Sequence, residues 1–189
     1  MTDKNENSSI FARDLALYTT HSERSADLID EIENILNRKL NEQESLAIRL
    51  GIEGFISSAV IYIISCLAID ENKKSAFLTL YGENTQKIFQ IFRGWSLKEI
   101  TVYNNNVVFG IGELYYKCLK GKIVLSIKDL KNLWNTFADM IIMDLNYGPE
   151  ITEGNKQKDI LLHKVIELKL AQLSYDIRRK IADNIELLK

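Results

Sequence analysis

The sequence predicts an all-α protein, a single-domain bundle of about eight or nine helices around a buried central helix at about 43–69, and three observations carry that expectation. Apolar residues recur at helical spacing almost throughout, and period-two alternation is rare. Residues 54–69 run sixteen positions without a charge, between Glu53 and Asp70. At ~1.5 Å per residue that run spans roughly 24 Å, short of the ~30 Å hydrocarbon layer, so it suits a core helix better than a membrane span. Capping signals divide the rest of the chain into helix-sized segments.

The elements follow in order. Residues 1–8 are polar and are expected as a flexible lead, with the helical domain covering 9–189. A short first helix follows Ser8 and Ser9 and buries some of Ile10, Phe11, Leu15 and Tyr18. Thr20-His21-Ser22-Glu23 has the form of a capping box opening a second helix, whose stripe is Leu28, Ile29, Ile32, Ile35, Leu36 and Leu40. Asp27, Asp30, Glu31, Glu33, Asn37 and Arg38 form its solvent face. Asn41 and Glu44 cap the central helix. On a helical wheel, Gly51, Gly54, Ser58, Ser65 and Ala68 share one strip of that helix, with Ile61 its one large member. A neighbouring helix, or a second copy of the chain, could approach closely there.

Two short helices are expected next, one ending at Gly82 and one at Gly94. Ser96-Leu97-Lys98-Glu99 is a further capping box, and Asn104-Asn105-Asn106 is expected to interrupt the helix it opens. Another helix runs from about Val107 to Gly121, and residues 122–125 form an extended connector. Ser126 and Asp129 cap a helix with Ile127, Leu130, Trp134, Phe137, Ile141 and Leu145 as its stripe, ended by Gly148-Pro149. A long C-terminal helix over about 156–188, straight or bent near Ser174, carries Leu162, Ile166, Leu170, Leu173, Ile177, Ile181, Ile185 and Leu188 at a spacing of about 3.7.

At 189 residues the chain can bury roughly 70% of its unfolded surface without disulfides or metal. Its 46% hydrophobic and 26% charged composition excludes wholesale disorder. The polar start lacks the apolar core of a secretory signal, and Cys66 and Cys118 fall on apolar helix positions, so a reducing cytoplasm is the expected setting. Residues 1–60 carry eleven acids against six bases, and residues 84–135 carry three acids against eight bases. The basic middle could steer a partner.

No residue pattern names a reaction. Asp159, His163 and Glu167 share one side of the C-terminal helix, but a helical metal site needs ligands from a second helix, so no metal is expected. Cys118, on a stripe with Val107, Ile111 and Leu114, reads as buried and inert, and His21 has no assigned role. Gly110-Ile111-Gly112 lacks the third glycine and preceding strand of a dinucleotide site, and no Walker-type glycine-lysine pattern is present. No catalytic residue and no cofactor is therefore expected, and the chain reads as a non-enzymatic adaptor or regulator that binds another protein. The expected partner-binding residues are Trp95, Tyr115, Tyr116, Lys117, Lys120 and Lys122, amphipathic aromatics beside lysines. Two alternatives stand beside that expectation. One is a DNA-binding regulator using a helix-turn-helix-like segment at 96–120, although its second helix offers no base-reading side chain in its first turn. The other is a small-ligand sensor or helical enzyme with a pocket lined by Trp95, Tyr103, Trp134 and Phe137.

Overall fold

Helix starts in this protein are set by side chains that accept the amides a first turn leaves unpaired. Asn41, Ser96 and Ser126 each accept from the backbone three residues on, and Glu44, Glu99 and Asp129 each return a bond to the cap amide, completing three capping boxes. Asp70 accepts from the amides of Asn72 and Lys73 to start a fourth helix. The computed structural model describes residues 2–21, 23–122, 126–145 and 153–188, and all of its regular structure is helical. The helices are α1 (Thr2–Thr20), α2 (Glu23–Leu36), α3 (Glu42–Cys66), α4 (Glu71–Arg93), α5 (Leu97–Tyr103), α6 (Phe109–Leu119), α7 (Ile127–Asp144) and α8 (Glu153–Asp183). A π-turn over Asn104–Val108 joins α5 to α6, and a 3-10 turn over Ile185–Leu187 follows α8.

The all-α expectation holds, with fewer separate rods than eight or nine. Gly82 does not stop a helix, because α4 runs through it from Glu71 to Arg93 and ends at Gly94, whose φ of 65° is the left-handed conformation a helix stop requires. The asparagine run does not break its helix either. Asn104, Val108 and Phe109 all keep right-handed helical angles, and the Phe109 amide donates to the Asn104 carbonyl five residues back. One residue is inserted and the rod continues. At the N-terminus α1 begins at Thr2, so residues 2–8, expected as a lead, belong to a helix. Thr20, expected to open α2 as the cap of a box with Glu23, is instead the last residue of α1, and its hydroxyl donates to the Ala16 carbonyl. The connector at 123–125 and the Gly148-Pro149 stop lie outside the described residues.

Helix α3 is the hub and packs against every other helix except α5. From Ile52 to Val60 each residue is buried, and 67% of its most apolar stretch is covered by the rest of the protein. Among the described residues it is the one helix long and apolar enough to cross a membrane. Phe55 stands at the centre, with the rings of Tyr115 at 5.2 Å and Phe137 at 5.0 Å. Tilted contacts at such separations suit the ring quadrupoles. α3 ends at Cys66, earlier than about 69, where the nine-tenths-buried Lys74 donates to the Ser65 carbonyl.

The other helices close around this hub. α1 packs most extensively on α4 through Phe11 and Phe77, and α2 lies on α8 and α3. α7 and α8 pair along their length, and the Trp134 indole donates to the Ser174 hydroxyl at 3.2 Å as α8 continues unbroken. The predicted stripe of α8 is buried from Leu162 to Ile181, whereas that of α7 shifts: Ile127 is exposed, and Leu133 and Ala138 join Phe137 and Ile141 inside.

Candidate functional site

The small strip of α3 is where the fold builds its least ordinary feature. A Cβ on Gly54 would lie 2.6 Å from Val107 Cγ1 and 2.8 Å from Ile111 Cδ1, so only glycine lets the π-turn approach this closely. One turn further on, the Ser58 hydroxyl donates to the Val108 carbonyl at 2.9 Å. The inserted residue keeps both halves of the rod in phase with α3. Buried positions fall at Ile100, Tyr103, Val108, Ile111, Tyr115 and Leu119, with a five-residue step at the π-turn. Gly54 and Ser58 thus seat a segment of the same chain, while Ser65 and Ala68 stay exposed.

A second, smaller core holds the other end of the rod. Phe89, Ile100, Tyr103 and Val108 pack there, with Trp95, Leu50 and Val107 against them. Phe89, Trp95 and Tyr103 meet pairwise with ring centroids 5.0 to 5.6 Å apart. Arg93 lies over Phe89 and Trp95 and forms an ion pair with Glu53 of α3. Burial pushes the Glu53 carboxyl above its usual range, and Arg93 draws it back down. Glu53 Oε2 and the Tyr103 hydroxyl are buried without a hydrogen-bond partner, and burial raises the Tyr103 phenol well above its ordinary value.

These inner contacts leave a set of large apolar side chains outside the core. Between residues 91 and 116, six large apolar side chains point outward: Ile91 at 75% exposure, Phe92 at 74%, Leu97, Val102, Phe109 at 63% and Tyr116 at 67%. Phe109 and Tyr116 lie two turns apart on one face of α6. The charges around them are mostly positive. Glu99 is held by the Ser96 cap, Glu113 by Lys117 and Asp129 by Lys122, whereas Lys87, Lys98 and Lys120 are exposed and have no ion pair among the described residues.

The six residues singled out in the sequence do not gather on this face. Trp95 belongs to the small core at the start of the rod, and Tyr115 is buried against Phe55 and Tyr62 near its other end. Tyr116 is fully presented. Lys117 pairs with Glu113 at 3.2 Å, Lys120 ends α6 in a left-handed conformation, and Lys122 pairs with Asp129 at 3.1 Å. The outward Ile91, Phe92, Leu97, Val102 and Phe109 were missed, because apolar residues at helical spacing read as core until the covering helix is known.

The remaining candidates separate as well. Over 96–120 there is no turn between two helices, so the helix-turn-helix outline gives way to one continuous rod whose inner side is covered by α3. Trp95 and Tyr103 share the small core, while Phe137 packs on Phe55 and Trp134 on Ser174, so the four aromatics line no common pocket. His163 pairs with Asp139 at 3.1 Å, and no group of metal-ligating side chains occurs among the described residues. Cys118 is half-buried with the Asn132 amide 3.7 Å from its sulfur, and burial pushes its thiol up, away from nucleophilic use. No protein-family model, curated protein or solved structure matches the chain.

Proposed function

We propose that this protein is an adaptor or regulator that works by binding another protein through the outward face of residues 91–116. The observation that carries the reading is the concentration of exposed apolar side chains between Ile91 and Tyr116, on a segment tied to the central helix by Gly54, Ser58 and the Glu53–Arg93 pair. Isolated exposed apolar residues are ordinary, but a concentration of them on a rigid support favours association. Burying three of the six, each already a quarter to a half covered, would return roughly 3–6 kcal/mol, a magnitude that bears on the cost of bringing two proteins together. Lys87, Lys98 and Lys120 around it suit a partner with an acidic rim.

The test is affinity capture from the native host lysate with nuclease present, comparing the wild type with a Phe109→Ser/Tyr116→Ser double variant. Both positions face water, so the variant should melt as the wild type does. A nuclease-resistant protein that the wild type retains and the variant loses by about tenfold or more supports the reading. Equal retention by both, or recovery that needs nucleic acid, counts against it.

A further inference from the structure

A cleft of about 390 Å3 opens between α3, the π-turn and α7, and none of the six outward apolar side chains between 91 and 116 lines it. Leu50, Val107, Phe137 and Met140 supply apolar walls, and Asn106 and Asp144 stand among its polar lining. Two glycines, Gly51 of α3 and Gly110 of α6, complete its surface. Glycine inside a helix is unfavourable relative to alanine, and here two of them, on different helices, border one hollow. At Gly54 packing requires glycine, since a Cβ there would collide with Val107 and Ile111. No such requirement exists at the cleft. A Cβ on Gly110 would meet nothing within 4 Å, and one on Gly51 only the Phe137 ring at 3.7 Å, an ordinary contact. What these two glycines do is leave the space open.

The charge at the rim is equally specific. Asp144 is the last residue of α7, where the helix dipole disfavours an acid, and the last turn of α7 holds no basic residue. A cation seated there would meet both the carboxylate and the negative end of the helix. An apolar hollow of this size with few polar groups is the usual form of a small-molecule site. We propose that the cleft binds a small organic cation, an apolar body carrying one ammonium group. The body lies on Leu50, Val107, Phe137 and Met140, the ammonium faces Asp144, and Asn106 offers an amide oxygen as a second acceptor. The aromatic pocket expected from sequence contributes Phe137 alone to this cleft.

Methionine methyl NMR tests this, because Met140 lines the cleft and methionine signals are few. The probes are 2-phenylethylammonium and, as a shape-matched anion, 3-phenylpropionate. The ammonium probe should shift the Met140 methyl saturably with a dissociation constant below ~10 mM, and the anion should bind at least about tenfold more weakly. Gly110→Leu, which grows a side chain into the open space, should abolish the shift while the melting temperature holds or rises. Asp144→Asn, at an exposed position, should weaken the ammonium probe about three- to fivefold. No shift at ~10 mM probe, equal binding of the two probes, or a shift that survives in folded Gly110→Leu would overturn the assignment.

Discussion

The guanidinium of Arg93 is ion-paired to the carboxylate of Glu53 inside the packed protein, their side chains 22% and 4% exposed. The pair joins the end of α4 to the middle of α3. Its removal from one side leaves a charge in surroundings that cannot solvate it, which is costlier than removing both members. Arg93→Ala should therefore lower stability by about 3 kcal/mol, the low end for a broken buried pair because Arg93 keeps some contact with water. Glu53→Leu/Arg93→Met should recover most of that loss. Urea denaturation of the wild type and both variants checks it, and a double variant no better than Arg93→Ala would show that the pair is not the source of the cost.

The same carboxyl predicts a pH dependence of defined sign. Burial holds the folded-state value of Glu53 above its ordinary 4.5, so the folded protein keeps a proton that the unfolded chain releases. The contribution of Glu53 is then fully present below the unfolded value and is lost as pH rises through the folded one. The stability of the wild type minus that of Glu53→Gln should fall as pH rises from the ordinary carboxylate range through the raised folded-state value. Urea midpoints measured across that range decide the sign, and a difference that grows with pH would mean that Arg93 outweighs burial.

Two glycines that look alike in sequence should respond oppositely to alanine. At Gly54 the new methyl would press on the branched Cγ1 of Val107, which has little freedom to move, and on the end of Ile111. Overpacking outweighs the gain in helix propensity, and Gly54→Ala should cost about 1–2 kcal/mol. At Gly82, inside α4, a methyl would meet nothing within 4 Å, and alanine there should instead gain about 0.5–1 kcal/mol. Thermal melts of the two variants read the signs directly.

That contrast shows which features were legible in the sequence. The caps at Asn41, Ser96 and Ser126 and the stop at Gly94 depend on a few neighbouring residues, and all four stand where the sequence puts them. The buried stripe of α8 was equally clear, because no break interrupts its period. Gly82 misled because glycine permits a left-handed stop without requiring one. The asparagine run misled because α3, fifty residues earlier, draws it into a π-turn through Gly54 and Ser58. Glu53 read as the charge that closes an apolar run, and its partner lies forty residues away on another helix. The outward face from Ile91 to Tyr116 was illegible for the same reason, since exposure depends on which side of the rod α3 covers.

A buried hydroxyl cluster joins three helices and yields the last prediction. Tyr81 of α4 lies 2.9 Å from the Thr19 hydroxyl of α1 and 3.3 Å from the Ser57 hydroxyl of α3. The Thr19 hydroxyl already donates to the Leu15 carbonyl, so the single Tyr81 proton is shared between the Thr19 and Ser57 oxygens. All three side chains are buried, and the Tyr81 phenol, protonated at neutral pH in any setting, is pushed further up by burial. Tyr81→Phe preserves the ring and removes one oxygen, leaving Thr19 and Ser57 to share what remains. The expected loss is about 1–2 kcal/mol, since buried acceptors deprived of a donor cost more than the net value of one hydrogen bond. Thr19→Val made on that background should add less than it does alone, because its partner has already gone. A double-mutant cycle by urea denaturation measures the coupling, and strictly additive losses would mean that Tyr81 and Thr19 do not share a bond.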